Sequence, residues 1–259
     1  MKKIEKIVNK KNKSKIVCLT AYSKNIAEEV DKYVDIVLVG DSLGSVLYNY
    51  STTRKVTLTE MINHSKSVRL GVKKSLMVVD MPFKTYTTKN IALKNAKKIL
   101  KETKCDAVKL EGGKKIIKQI EYLTKNKIPV MGHLGLLPQS VKGKFKSKGK
   151  TNKEIKQLMS DALLLQKTGV FAIVLECVKT QIAKQITNDL KIVELNGNVS
   201  LDPFEIEYIT LTHSILEPNG LRIETPAGII LHTGDWKVDP NPLIGSKINS
   251  CLLYTSPSP

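Results

Sequence analysis

The chain has 259 residues, 41% of them hydrophobic, and a formal net charge of +18. That is enough apolar material for one sizeable core, and no apolar run approaches the ~20 residues of a membrane helix. Only Arg54, Arg69 and Arg222 are arginines; the remaining basic charge is lysine spread along most helices. No basic stripe of the kind that binds nucleic acid stands out, so a nucleic-acid partner is not expected. The four cysteines, Cys18, Cys105, Cys177 and Cys251, form no CxxC pair and read as reduced thiols. Met1-Lys2-Lys3 has no apolar h-region behind it, because Lys10 to Lys13 occupy that place, and a cytoplasmic protein is expected.

In chain order, residues 15–19 read as a first strand and 23–32 as a helix. Ile36-Val37-Leu38-Val39 then runs into Asp41-Ser42. Helix 57–72 opens on Thr57 with Glu60 three residues on, a capping-box spacing. Leu76-Met77-Val78-Val79 ends in Asp80, followed by helix 88–103, whose expected buried face is Ile91, Ala92, Asn95/Ala96, Ile99 and Leu100. Ala107-Val108 leads into Lys109-Leu110-Glu111, then helix 114–126 with Ile116, Ile117, Ile120 and Leu123 inward. Pro129-Val130-Met131 leads to His133, a Lys/Gly-rich loop spans 137–151, and helix 152–168 stops at Gly169. Ile173-Val174-Leu175 ends in Glu176, and helix 180–190 follows. Six strands each followed by a helix predict an α/β parallel sheet, an incomplete TIM (β/α)8 barrel of six βα units.

After residue 190 the pattern changes. Phe204 to Tyr208 and Leu221 to Glu224 alternate apolar and charged, and Thr225-Pro226-Ala227-Gly228 turns between two such runs. A short antiparallel β segment is expected there. Two strands left as edges and six strands where a closed barrel has eight predict weak activity.

Five apolar runs thus end in ionisable residues at what would be one rim. Asp41, Asp80 and Glu111 on neighbouring strands suit a hard divalent cation with oxygen ligands, Mg²⁺ more than Zn²⁺. Lys109 lies two residues before Glu111, on the same strand face, placed to neutralise a substrate carboxylate. Glu176, across the mouth, is a candidate general base. Ser42 and His133 add hydrogen-bonding capacity.

The segments Val39-Gly40-Asp41-Ser42-Leu43-Gly44, Asp80-Met81-Pro82-Phe83, Val108-Lys109-Leu110-Glu111-Gly112-Gly113, Gly132-His133-Leu134-Gly135-Leu136-Leu137-Pro138-Gln139-Ser140 and Leu175-Glu176-Cys177-Val178 resemble ketopantoate hydroxymethyltransferase. The resemblance covers residues 1–190. It implies a Mg²⁺-dependent (β/α)8 barrel of pantothenate biosynthesis, typically a homo-oligomer. Such an enzyme moves a one-carbon unit from 5,10-methylenetetrahydrofolate to the oxo acid 3-methyl-2-oxobutanoate, giving 2-dehydropantoate. It implies metal contacts from Asp41, Asp80 and Glu111, oxo-acid contacts from Asp41, Ser42, Asp80 and Lys109, and Glu176 as proton acceptor. His133 is given a supporting place only.

Residues 191–250 instead resemble the metallo-β-lactamase-type ribonuclease J nucleases, through Asp202 to Tyr208, Thr212-His213-Ser214-Ile215 and His232-Thr233-Gly234-Asp235-Trp236-Lys237. The resemblance marks His213 and Asp235 as metal positions, but the HxHxDH motif that supplies most ligands is absent, and an inert segment is expected. Residues 251–259 fit neither family and resemble a translated sequencing-adapter tail. A chimera of the two families is the leading expectation; a ribonuclease fused to a barrel and a lysine-rich binding protein are the alternatives.

Overall fold

A computed structural model describes residues 2–11, 13–141, 145–189, 199–201, 204–210, 219–225 and 228–232. It divides into two units, Met1–Asn196 and Gly197–Pro259.

The first unit carries a six-stranded parallel sheet in sequence order: β1 (Cys18–Thr20), β2 (Ile36–Val39), β3 (Leu76–Asp80), β4 (Ala107–Glu111), β5 (Val130–Gly135) and β6 (Ala172–Glu176). Helices α2 (Lys24–Val30), α4 (Leu58–Gly71), α5 (Lys89–Thr103), α6 (Ile117–Lys125) and α7 (Asn152–Lys167) lie between successive strands, and α8 (Thr180–Asp189) follows β6. Two short helices were not expected: α1 (Lys2–Val8) and α3 (Leu43–Tyr48).

Alternation along each strand sorts the side chains into two cores. Val37, Val39, Met77, Val79, Val108, Leu110, Val130 and Ile173 face the helices, where they meet Ala27, Met61, Ala96, Ile99, Leu123 and Leu165. The opposite face gathers Ile36, Leu76, Val78, Ala107, Met131 and Ala172, joined by Ile16 and by Ile7 of α1. Each of the Val, Leu, Ile and Met side chains among them contributes roughly 1.5–3 kcal/mol by leaving water. The second core explains α1: its lysines hide the signal in sequence, while Ile4 and Ile7, one turn apart, seat it against the sheet's concave face.

Helix starts follow the sequence closely. Thr57 Oγ1 accepts from the Glu60 N–H and Glu60 returns to the Thr57 N–H, so the capping box is formed. Thr88 and Thr151 cap α5 and α7 by accepting from the Ile91 and Glu154 N–H groups. Gly169 takes a φ of +83°, the left-handed stop expected there.

Two expectations are corrected. The first strand is Cys18–Thr20 rather than 15–19, because Ile16 drops into the concave core and Val17 bonds the Asp35 carboxylate through its N–H instead of entering the register. Ile91 is exposed, since the buried stripe of α5 runs Ala92, Ala96, Ile99 and Thr103, and Ile91 sits about 100° away from Ala92.

The entry to β3 depends on one carboxylate. Asp31 accepts from the N–H groups of Lys73, Lys74 and Ser75 at 2.8–2.9 Å. Burial works against the charge, but these N–H bonds outweigh it and hold the carboxyl below its ordinary pKa. Asp31→Ala should therefore cost about 1–3 kcal/mol in urea unfolding at pH 7 by orphaning those donors. A carboxyl with a depressed folded pKa stabilises above its unfolded value and loses that as pH falls, so the penalty should shrink below about pH 4. An equal penalty at pH 7 and pH 3 would refute this account.

In the second unit, β7 (Val199–Leu201), β8 (Phe204–Thr210), β9 (Asn219–Thr225) and β10 (Gly228–His232) form an antiparallel sheet in the order β10-β9-β8-β7. His213, Asp235 and the tail 251–259 lie outside the described residues, as does Cys251; Cys18 and Cys105 are free thiols. Among the described residues no helix is long and apolar enough to cross a membrane.

Candidate active site

The register of the parallel sheet builds the site. Asp80 at the end of β3 is the lateral partner of Lys109 on β4, and Glu111 at the end of β4 is the partner of His133 on β5. Lys109 and Glu111 are two apart, so all four side chains share the concave face. Asp41 follows β2 after Gly40, and Glu176 ends β6. Every candidate except Ser42, which is exposed, and Glu176, 34% exposed at its side chain, is buried.

Lys109 Nζ lies 2.8 Å from Asp80 Oδ1. The other Asp80 oxygen accepts from the Asp41 N–H at 3.1 Å. His133 Nδ1 stands 3.4 Å from Lys109 Nζ and 3.8 Å from Glu111 Oε1, and its Nε2 stands 3.0 Å from Glu176 Oε2. An ammonium has no lone pair, so Nδ1 is the acceptor and Nε2 carries the proton towards Glu176. Burial first, then Lys109, keeps the imidazole below its ordinary pKa and neutral. Ser42 Oγ is 2.7 Å from the Tyr22 hydroxyl at the mouth.

Two residues without a role in the sequence reading complete the site. Gln139, 2% exposed in the loop after β5, donates Nε2–H to Asp41 Oδ2 at 2.8 Å and to the Met81 carbonyl at 3.0 Å. Its backbone N–H donates to Glu111 Oε2 at 3.0 Å, and its amide oxygen accepts from the buried Tyr86 hydroxyl. The motif containing Gln139 was visible, but nothing in sequence reports that a loop residue folds back across two strand ends.

Burial and the neighbouring Asp80 push Asp41 up to about 7, and burial, with Asp41 and Asp80 nearby, pushes Glu111 up to about 8. Burial opposes the charge on Lys109, but Asp80, Glu111 and Asp41 together outweigh it and hold the ammonium above its usual range. One lysine thus faces three carboxyl groups, more than its single charge can neutralise once they ionise. Asp80 Oδ1, despite its close ion pair, and His133 Nε2 lack a well-aligned hydrogen bond. Among the described residues no three His, Cys, Asp or Glu side chains converge into a closed metal cage. The donor set instead suits a hard cation that takes one or two carboxylates and fills its other positions from water and substrate, the habit of Mg²⁺.

A stability consequence follows. Carboxyls whose folded pKa is raised contribute stability below their unfolded pKa, near 4, and lose it as pH rises through about 7 to 8. The depressed pKa of His133 gives the opposite slope, confined below about pH 6.5. Without divalent cations the thermal midpoint should fall from pH 6.5 to pH 8.5, and MgCl₂ should raise it more at pH 8.5 than at pH 6.5. A Mg²⁺ effect equal at both pH values would contradict this.

A cleft of roughly 1060 Å³, lined in part by Phe83, Tyr86, Lys114 and Asp161, borders Glu111 and Gln139.

The family model for ketopantoate hydroxymethyltransferase matches residues 1–196, ending where the first compact unit ends. The chain is 63% identical over 200 residues to the 3-methyl-2-oxobutanoate hydroxymethyltransferase of Pelagibacter ubique (strain HTCC1062), covering 77% of each chain. It is 45% identical over 185 residues to the enzyme of that name from Anaplasma marginale (strain St. Maries), covering 71% of this chain and 67% of the other. Among solved structures it is similar to 2,3-dimethylmalate lyase, a PEP mutase/isocitrate lyase superfamily member, with TM-score 0.56 and 9% identity, over 73% of this chain and 65% of that one. It is also similar to a phosphonopyruvate hydrolase complexed with oxalate and Mg++, with TM-score 0.53 and 9% identity, over 68% and 63% of the two chains. The structural likenesses speak for the α/β fold of six parallel strands; the sequence matches go further, and by them the chain belongs to the ketopantoate hydroxymethyltransferase family.

Proposed function

We propose that the chain transfers a hydroxymethyl group from 5,10-methylenetetrahydrofolate to 3-methyl-2-oxobutanoate, giving 2-dehydropantoate, with Mg²⁺ as cofactor. The observation that carries this reading is the Asp80–Lys109 ion pair, flanked by Asp41, Glu111, His133 and Glu176 at the C-terminal ends of adjacent strands. It is a site with one fixed buried cation, an excess of carboxylate and a half-exposed acid.

Asp41 and Asp80, with Glu111 behind them, would hold Mg²⁺, which when bound supplies a Lewis acid for the oxo and carboxylate oxygens of the substrate. Lys109 and Ser42 bind and orient the oxo acid. Glu176 accepts the proton from C3, with His133 Nε2 3.0 Å from its carboxylate as a supporting neighbour. The resulting enolate carbon attacks the folate methylene carbon, whose bonds to the folate nitrogens break, so that tetrahydrofolate leaves and water supplies the hydroxyl oxygen. The cleft beside Glu111 and Gln139 has room for a large co-substrate. For residues 192–250 the ribonuclease likeness rests on motifs alone, and no hydrolytic role is proposed.

C3–H exchange tests the first half of the reaction without folate. Purified chain, MgCl₂ and 3-methyl-2-oxobutanoate in D₂O should lose the C3–H proton signal by NMR, and EDTA should stop the loss. A folded chain that gives no exchange above buffer would defeat the proposal.

A further inference from the structure

We propose that Gln139 and Tyr86 form a positioning pair that sets the Asp41 and Glu111 carboxylates for a divalent cation; this rests on the metal reading above.

The argument begins with which way the amide faces. The Met81 carbonyl can only accept a hydrogen bond, so the Gln139 nitrogen must face it. The same nitrogen then reaches Asp41 Oδ2, and the amide oxygen is left to accept a hydrogen bond from the Tyr86 hydroxyl. The Met81 carbonyl thus fixes the amide, the Tyr86 hydroxyl donates to match it, and all of these partners are buried. Turning the amide over would set its oxygen against the Asp41 carboxylate and the Met81 carbonyl at once. Tyr86 secures this state from a distance: its hydroxyl donates to the Gln139 amide oxygen and acts on Asp41 through that amide.

Gln139 also spans the two strand ends. Its side chain takes one oxygen of Asp41 while its backbone N–H takes one oxygen of Glu111. Each carboxylate has one oxygen committed to Gln139, and the other is left for a cation or a substrate. A single residue on the loop after β5 therefore couples the end of β2 to the end of β4, two strands that are not neighbours in the sheet. Hydrogen-bonded partners behind metal ligands fix ligand orientation, and losing one typically weakens metal binding about 10–100-fold.

The test is direct binding of Mn²⁺ alone, followed by the EPR signal of free Mn²⁺, with thermal midpoints recorded for every protein. Gln139→Leu should weaken Mn²⁺ binding about 10–100-fold. Tyr86→Phe, which removes one hydroxyl, should weaken it several-fold at a nearly unchanged midpoint. Because Tyr86 acts through Gln139, the double variant should bind no worse than Gln139→Leu, whereas independent structural effects would multiply. Should Gln139→Leu fail to fold, the several-fold loss in Tyr86→Phe remains a sufficient test. Parental Mn²⁺ affinity in folded Tyr86→Phe, or multiplicative losses in the double variant, would overturn the positioning pair alone. A parent chain that binds no Mn²⁺ would overturn it together with the metal reading.

Discussion

Glu176→Gln should lower the rate of C3–H exchange in 3-methyl-2-oxobutanoate by about 10²–10⁴ while leaving oxo-acid affinity within a few-fold of the parent. The amide keeps the size of the side chain and an acceptor oxygen for the His133 Nε2–H, now 3.0 Å from the carboxylate. What it loses is the ability to take a proton. The side chain is about one third exposed, so the fold should barely register the change, and the thermal midpoint should move by no more than a degree or two. NMR exchange rates and a separate binding titration distinguish the two effects. Parental exchange in the variant would mean that another group removes the proton.

Lys109→Met should be the most destabilising single change at the site. Methionine fills much of the same space, but the Lys109 ammonium is the buried counter-charge of Asp80 at 2.8 Å. Removing one partner of a buried pair leaves an uncompensated charge and costs about 3–5 kcal/mol. The loss should depend on pH with a definite sign. Without the ammonium the folded pKa values of Asp41 and Glu111, already raised by burial to about 7 and about 8, move further above their unfolded values near 4. The folded state then holds more protons than the unfolded chain, and stability falls as pH rises through that window. Urea midpoints of parent and variant should differ more at pH 8 than at pH 5.5, in the absence of divalent cations. A pH-independent difference would assign the effect to packing rather than charge.

Much of this architecture is readable in the residues because both of its periodicities are local. Strands buried on both faces appear as unbroken apolar runs, and their last residues name the rim: Asp80, Glu111 and Glu176 each end a strand. The capping threonines Thr57, Thr88 and Thr151 mark helix starts to within a residue. What escaped depends on distant contacts. The short helix α1 earns its place only through Ile7 in the concave core, and α3 is too brief to show a period. Gln139 is the clearest case: its partners Asp41 and Met81 lie far away in sequence, and only the fold of the loop after β5 brings them together. Register likewise had to be seen, since pairing Asp80 with Lys109 rather than one residue along decides whether the pair shares a face.

The placement of β6 has a kinetic meaning. The charged cluster of Asp41, Asp80, Lys109 and Glu111 is carried at β2, β3 and β4, inside the sheet, whereas Glu176 rides on the strand at its end. Interior strands are held by ladders on both sides, and an end strand by one within the sheet. Backbone opening should therefore be frequent at β6 and rare at β3, and amide hydrogen exchange should rank the strands in that order. On warming, the proposed proton acceptor would come loose before the oxo-acid cradle does. A temperature interval should then exist in which the ligand is still held and its C3–H no longer turns over, so that affinity and turnover fail one after the other.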